Sequence, residues 1–301
     1  MSHLSAVLFV LVAGTAWAAS GTAAQHFYTQ SDHIPIELTQ VRLFLSSAMF
    51  FLLAWWSGGV RRGVRLIRRS PRILLPLAIF GLLGIMFVQF SYFMGIAAGD
   101  AAATTVITYT SPVLLILYLA LRHRRLPTTV EAGTVIAAVA GIFLLVTGGN
   151  IERLSVPVAC IVWSLISATT FAFAMVYPVH LLRLFDRFFL LAVCMLIGGL
   201  SLLPLTQGIF EVGSFFTATT RLDLFVIIVL GTVLAFFAFN AGLRWLSPEE
   251  TAITATIEPV ASVLFAWLIY DAHFVTMQIV GVVLVITAIL TPNLLRKWGR
   301  I

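Results

Sequence analysis

Apolar positions along this chain fall in long unbroken runs, each closed by Gly, Pro or charged residues, and not at the period of an amphipathic helix or strand. The runs cover about 4–25, 34–56, 73–96, 101–121, 128–147, 155–179, 188–207, 222–244, 249–270 and 274–295. A helix rises 1.5 Å per residue, so each run can cross a hydrocarbon core about 30 Å thick. The pattern predicts an all-α integral membrane protein of ten transmembrane helices. Within the first run an apolar stretch is followed by Ala16-Trp17-Ala18-Ala19, which could pass for the small-residue cleavage site of a secretory leader. No Lys or Arg precedes it, however, and the repeat described below needs it as a first member, so it reads as a span.

Composition agrees. Hydrophobic residues make up 60% of the 301 positions and Asp, Glu, Lys and Arg only 10%, against about 25% charged in ordinary soluble domains. A water-soluble fold is excluded, and ten spans leave no room for an extramembrane domain. The two cysteines, Cys160 and Cys194, lie in separate apolar runs, which leaves no disulfide framework and no Cys-based metal site.

The net charge of +6 comes from seventeen arginines and Lys297, most of them between runs. That placement points to membrane topology and not to nucleic-acid binding. With the N-terminus inside, the cytoplasmic segments hold Arg61, Arg62, Arg65, Arg68, Arg69, Arg72, Arg122, Arg124, Arg125, Arg183, Arg187, Arg244, Arg296, Lys297 and Arg300. The opposite side holds Arg153 and Arg221, and Arg42 lies inside the second run. Fifteen cations against two put both termini in the cytoplasm. The Arg61 to Arg72 cluster also suits anionic lipid headgroups, with topology the more economical reading.

The chain matches itself at an offset of 147 residues. Leu83-Gly84 falls on Leu230-Gly231 and Pro112 on Pro259 without a gap, and Trp17 matches Trp163 one residue away from that register. Two halves follow, 1–147 and 155–296, each with five spans. An odd number of spans forces the second half into the opposite orientation, which makes the repeat inverted. Inverted repeats are a device of secondary transporters, with the substrate between the halves near mid-membrane.

Ionisable groups in hydrocarbon are costly and therefore candidates for function. Glu258 lies about nine residues into its run, roughly 14 Å deep and close to the mid-plane. It shares a helical face with Thr251, Thr254 and Ser262. A proton-coupling or substrate-binding role competes with a structural one, in which Glu258 bonds backbone freed by Pro259. The fourth run carries Thr104, Thr108 and Ser111 in a matching stripe with Tyr109 beside it, ahead of the helix-disrupting Pro112. Those hydroxyls suit either helix packing or a ligand. Arg42, on a face with Thr39 and Ser46, has three readings: snorkelling to the interface, pairing with an acid such as Glu258, or holding a substrate carboxylate.

Trp17 with Gly21 and Gln25, Tyr92 with Gln89, and Trp163 with Ser167, Thr170 and Tyr177 recur at helical spacing. Such a mixed aromatic and amide lining suits an amphipathic organic substrate. Trp55, Trp56, Trp245 and Trp298, near run ends, suit interfacial belts instead. All six histidines fall at run ends or between runs, so no metal is expected, and a single lysine at 297 excludes a P-loop.

Arg42 after Pro35, the Ser111-Pro112 and Glu258-Pro259 pairs, and the stretch from Leu126 through Gly133 to Gly141 resemble the two EamA repeats of the drug/metabolite transporter superfamily. That family usually carries an acid followed by Arg after spans 4 and 9. Here those places hold Arg124-Arg125 and Ala272-His273, with Asp271 next to the latter. The resemblance implies a carrier that exports or imports amino acids and other small metabolites.

The reading is a non-enzymatic inner-membrane carrier of a small amphipathic metabolite, an amino acid or related compound, exporting by alternating access. Its partners are that substrate, membrane lipids and coupled protons, with no cofactor and no oligomeric state specified. The rival readings are an intramembrane lipid-modifying transferase, weakened by the absence of an intramembrane His, and a non-transporting receptor or partner subunit. One outcome is checkable on topology alone. Single cysteines placed in 61–70 should react only with cytoplasmic reagent and those in 28–33 only with external reagent, and reversed labelling would overturn the orientation.

Overall fold

In hydrocarbon no water is available to an unpaired amide or carbonyl, so a spanning segment must satisfy its backbone internally, and the helix does this within one segment. The computed structural model describes residues 3–122, 124, 126, 128–150, 154–206, 215–242, 245–246 and 248–297. Every regular element among them is helical. His123, Arg125, Arg153, Arg244, Trp298 and Arg300 lie outside the described residues, as do the side chains of Arg296 and Lys297.

The helices are α1 (His3–Gln30), α2 (Pro35–Trp56), α3 (Gly59–Arg69), α4 (Pro71–Ala98), α5 (Ala101–Thr108), α6 (Ser111–Arg122) and α7 (Thr129–Thr147). They continue as α8 (Val158–Val176), α9 (Val179–Leu184), α10 (Arg187–Leu202), α11 (Arg221–Gly242), α12 (Pro248–Ala255), α13 (Ile257–Tyr270) and α14 (Thr276–Lys297). Among the described residues, eight helical segments are long and apolar enough to cross a membrane, and Arg187–Leu202 and Thr276–Thr291 are shorter apolar helices. The chain is thus a multi-pass helical membrane protein.

Local chemistry sets the helix ends. Asp100 caps α5, its Oδ1 accepting from the Ala103 amide at 2.7 Å, and Asp186 caps α10 through the Phe188 and Phe189 amides. Thr128 and Glu131 form a reciprocal box at the start of α7.

Three features differ from the expected spans. First, the arginine-rich segment after α2 is no loop: α3 is a helix docked on α10, with Gly59 against Asp186 and Gly63 against the Phe189 ring. Second, runs 4 and 9 are interrupted, at Tyr109-Thr110 between α5 and α6 and at Thr256 between α12 and α13. Pro112 and Pro259 explain both breaks, because a proline cannot donate to the carbonyl four residues back. Third, α4 and α11 contain π-helical stretches, Phe80–Met86 and Val226–Leu234, around the two Leu-Gly pairs. Interruptions and π stretches therefore both recur about 147 residues apart.

Packing pairs α1 with α11, α4 with α8, α2 with α10, and α7 with α14. The last pair meets backbone to backbone. A Cβ on Gly141 would lie 2.7 Å from the Gly281 carbonyl, and one on Gly281 would lie 2.6 Å from the Leu145 amide. Small residues let helices approach in this way. Large apolar side chains point outward, as Ile136, Val139 and Phe143 do on one face of α7, where lipid replaces water as solvent. Trp55, Trp56 and Trp245 are exposed at helix ends, as a belt residue should be.

Two glycines in this helix pair should respond oppositely to alanine. Nothing lies within 4 Å of a Cβ at Gly133, so Gly133→Ala should stabilise by up to about 1 kcal/mol. Gly281→Ala should destabilise by about 1–3 kcal/mol through overpacking. Thermal unfolding of the purified variants in detergent checks both, and equal shifts would refute the close contact.

Candidate functional site

The interruption of α12–α13 supplies the first part of the site. Pro259 leaves the Ala255 carbonyl without its helical donor, and the Tyr109 hydroxyl, from the other interruption, lies 2.9 Å from that oxygen. The same hydroxyl lies 2.9 Å from Glu258 Oε2. One hydroxyl proton therefore faces two acceptors, and an ionised Glu258 would compete with the carbonyl for it. The expected structural role for Glu258, bonding the freed backbone itself, belongs instead to Tyr109.

Arg42 supplies the second part. It is only 6% exposed, so it does not snorkel. Its Nε donates to Thr232 Oγ1 at 2.8 Å, Nη2 donates to the Gly231 carbonyl at 3.4 Å, and Cζ sits 5.1 Å from the centroid of the Phe93 ring. The π stretch of α11 makes this possible. Thr232 Oγ1 donates back to the Ile227 carbonyl, five residues earlier, while the Gly231 carbonyl turns to the guanidinium. Glycine is needed at 231, because a Cβ there would collide with Ser20 of α1. Arg42 is within electrostatic reach of Tyr92, Tyr28 and Glu258, yet among the described residues no ion pair joins it to Glu258.

Tyr92 links the two parts. Its hydroxyl hydrogen-bonds Thr105 at 2.8 Å and fills the space left by the missing Cβ of Gly21. Ser262 donates to Thr105 Oγ1 and is within reach of the Ala101 carbonyl, both at 3.3 Å. Trp17 packs against Phe236 and Phe239 of α11. Trp17, Gln89, Tyr92, Tyr109 and Glu258 are each partly accessible.

The remaining candidates sit elsewhere. Thr108 lies 3.5 Å from the Ser164 carbonyl and Ser167 donates to the Val88 carbonyl at 3.3 Å, placing both in helix contacts of α8. Trp163 packs edge-on to Phe90. Thr254 donates to the Glu250 carbonyl within its own helix. Ser111 Oγ, Thr251 Oγ1 and Gln89 Oε1 are buried with no hydrogen-bond partner among the described residues. Among the described residues, no three of His, Cys, Asp and Glu cluster to hold a metal.

Sequence reasoning missed Ser20, Tyr28, Phe93, Thr105 and Thr232. Tyr28 was lost because the first run was ended near 25, whereas α1 continues to Gln30. The signal for Thr232 was available, since it directly follows the repeated Leu-Gly pair.

With this geometry in hand, comparison with known proteins is informative. The sequence pattern of the EamA-like transporter family matches residues 4–147 and 158–293. The uncharacterized inner membrane transporter YicL of Salmonella typhimurium is 28% identical over 290 residues, covering 96% of this chain and 95% of the relative. A solved crystal structure superposes over the whole of both chains with a TM-score of 0.63 at 18% identity, a likeness of fold alone.

The Tyr109–Glu258 contact makes a measurable prediction. Tyr109→Phe keeps the ring but leaves buried acceptors without their donor, which should cost about 1–3 kcal/mol. In a double-mutant cycle with Glu258→Ala, thermal unfolding should show a coupling of about 0.5–3 kcal/mol. Additive effects would mean that the two side chains do not interact.

Proposed function

The chain belongs to the EamA-like transporter family, and from that premise we propose that it is a secondary active carrier for a small amphipathic metabolite, an amino acid or related compound. It exports that substrate across the inner membrane by alternating access, with ten spans in two inverted five-helix halves, 1–147 and 155–296, and both termini cytoplasmic. A multi-pass inner-membrane location agrees with the family, the relative and the apolar helices.

The observation that carries the reading is the exchange symmetry of the packing. Replacing every helix by its counterpart in the other half turns the α1/α11 pair into the α8/α4 pair and maps α2/α10 and α7/α14 onto themselves. The side chains repeat as well. Trp17 meets Phe236 at 5.6 Å and 76°, and Trp163 meets Phe90 at 5.6 Å and 75°, both residues of each pair being shifted by 146 positions. Two halves that grip each other in equivalent ways supply two arrangements of similar energy, which alternating access requires.

The substrate site is the half-buried group of Trp17, Gln89, Tyr92, Tyr109 and Glu258 with Arg42 behind it. The stripe residues Thr108, Ser111, Trp163, Ser167 and Thr254 extend the lining when the halves rearrange. Glu258 is the proton-coupling group. Protonated, it donates to the Tyr109 oxygen and lets the Tyr109 proton serve the Ala255 carbonyl. Deprotonated, it draws that proton away and leaves the break at Pro259 less well satisfied. Protonation thus changes how firmly the α12–α13 junction is held.

Glu258→Gln preserves size and hydrogen-bonding capacity and should fold normally. In proteoliposomes it should abolish the pH dependence of transport shown by the wild type. Transport at the wild-type rate with an unchanged pH profile would make Glu258 structural and end the proton-coupled model at this residue.

A further inference from the structure

Helix α3 carries Arg61, Arg62, Arg65, Arg68 and Arg69, and Arg72 follows at the start of α4. All six are exposed. Like charges three and four positions apart on a helix repel, and Arg65 stands in that relation to Arg61, Arg62, Arg68 and Arg69. Among the described residues nothing relieves this. None of the six makes an ion pair there, and the one hydrogen bond among them is from Arg62 Nη2 to the Ser57 carbonyl, at 3.3 Å. Asp186, the acid against Gly59, already accepts from the Phe188 and Phe189 amides.

Membrane orientation alone asks for less than this. Positive charge in a loop sets orientation whatever shape the loop takes, whereas α3 is helical and its glycines seat it at a fixed rotation on α10. A Cβ at Gly63 would run into the Phe189 ring. With Gly59, Gly63 and Leu66 turned to the protein, the step of about 100° per residue puts Arg61, Arg65, Arg68 and Arg69 on the other side, with Val60 and Val64 along its edge. An open groove of about 520 Å³ follows that side, and those six side chains line it.

The neighbours of α3 set its depth. Trp55 and Trp56 are exposed at the end of α2 just before it, and Leu74 and Leu75 are exposed just after it. The helix therefore runs between an aromatic belt and the start of the next apolar span, at the level of lipid headgroups. Guanidinium forks match phosphate oxygens, and the valines beside them offer apolar surface in the same groove. A soluble anion would use only the first of these. A phospholipid uses both.

We propose that α3 is a binding site for anionic phospholipid, the headgroup phosphate held by Arg61, Arg65, Arg68 and Arg69 and the acyl chains starting along Val60 and Val64. The bound lipid relieves the repulsion within α3. Because α3 continues from α2 and rests on α10, it also braces that helix pair. The site requires only that α3 lie at a membrane surface, so it stands or falls independently of the transport reading.

The test uses the full-length protein in uncharged detergent micelles, where membrane orientation plays no part. Dioleoyl phosphatidylglycerol, dioleoyl phosphatidylcholine and inorganic phosphate are titrated separately, with lipid binding read by native mass spectrometry and stability by thermal unfolding. Phosphatidylglycerol should bind at least tenfold more tightly than phosphatidylcholine and raise the unfolding temperature by several degrees, and phosphate at the same concentration should leave that temperature unchanged. Replacing Arg61, Arg65, Arg68 and Arg69 together by Gln alters only exposed side chains. That variant should be as stable as the wild type without lipid, or more so, yet bind phosphatidylglycerol at least tenfold more weakly. Replacing the same four by Lys keeps the charge and removes the fork, and should weaken binding several-fold. An equal response to the two lipids, an equal response to free phosphate, or unchanged lipid binding by the glutamine variant would overturn the site. Undiminished binding by the lysine variant would reduce it to diffuse charge and overturn it as well.

Discussion

Backbone satisfaction in hydrocarbon governs this structure, and its most informative places are those where the helix fails to provide it. Each interruption exposes a carbonyl that costs about 1–3 kcal/mol if left unpaired. The chain repairs two of these with side chains from elsewhere: Tyr109 reaches Ala255 across from the other interruption, and Arg42 reaches Gly231 from α2. The residues that make the repair are also those of the candidate site. Tyr109 also holds Glu258, and the bonds that satisfy Gly231 and Thr232 also fix the direction of the Arg42 fork. The site is for this reason inseparable from the irregularities of the fold, and regularising either one would dismantle the other.

Much of this was legible in the chain. Run length and composition give the membrane class because bilayer thickness is a hard constraint on helix length. The prolines at 112 and 259 mark the interruptions through the missing amide, and Glu258 declares itself by its depth. What the runs concealed were features that depend on partners in space. The helical character of α3 was hidden because its arginines dominate its hydropathy, while its glycines dock on α10. The π stretches leave no period that a run of Ile, Val and Leu would display. Arg42 could be placed inside a span, but the groups that hold it there, Thr232 and Phe93, lie 190 and 51 positions away.

Among the described residues, six side-chain atoms are buried without partners, on Ser20, Tyr28, Ser46, Gln89, Ser111 and Thr251, and they fit the same logic. A packed interior seldom tolerates such groups. Ser111 occupies the position in the first half that Glu258 occupies in the second, at the 147-residue offset. The two halves thus share a backbone break but place a neutral hydroxyl at one and an acid at the other. The packing of the two halves is therefore alike where their chemistry at the break is not, and the difference is confined to one side chain beside each proline.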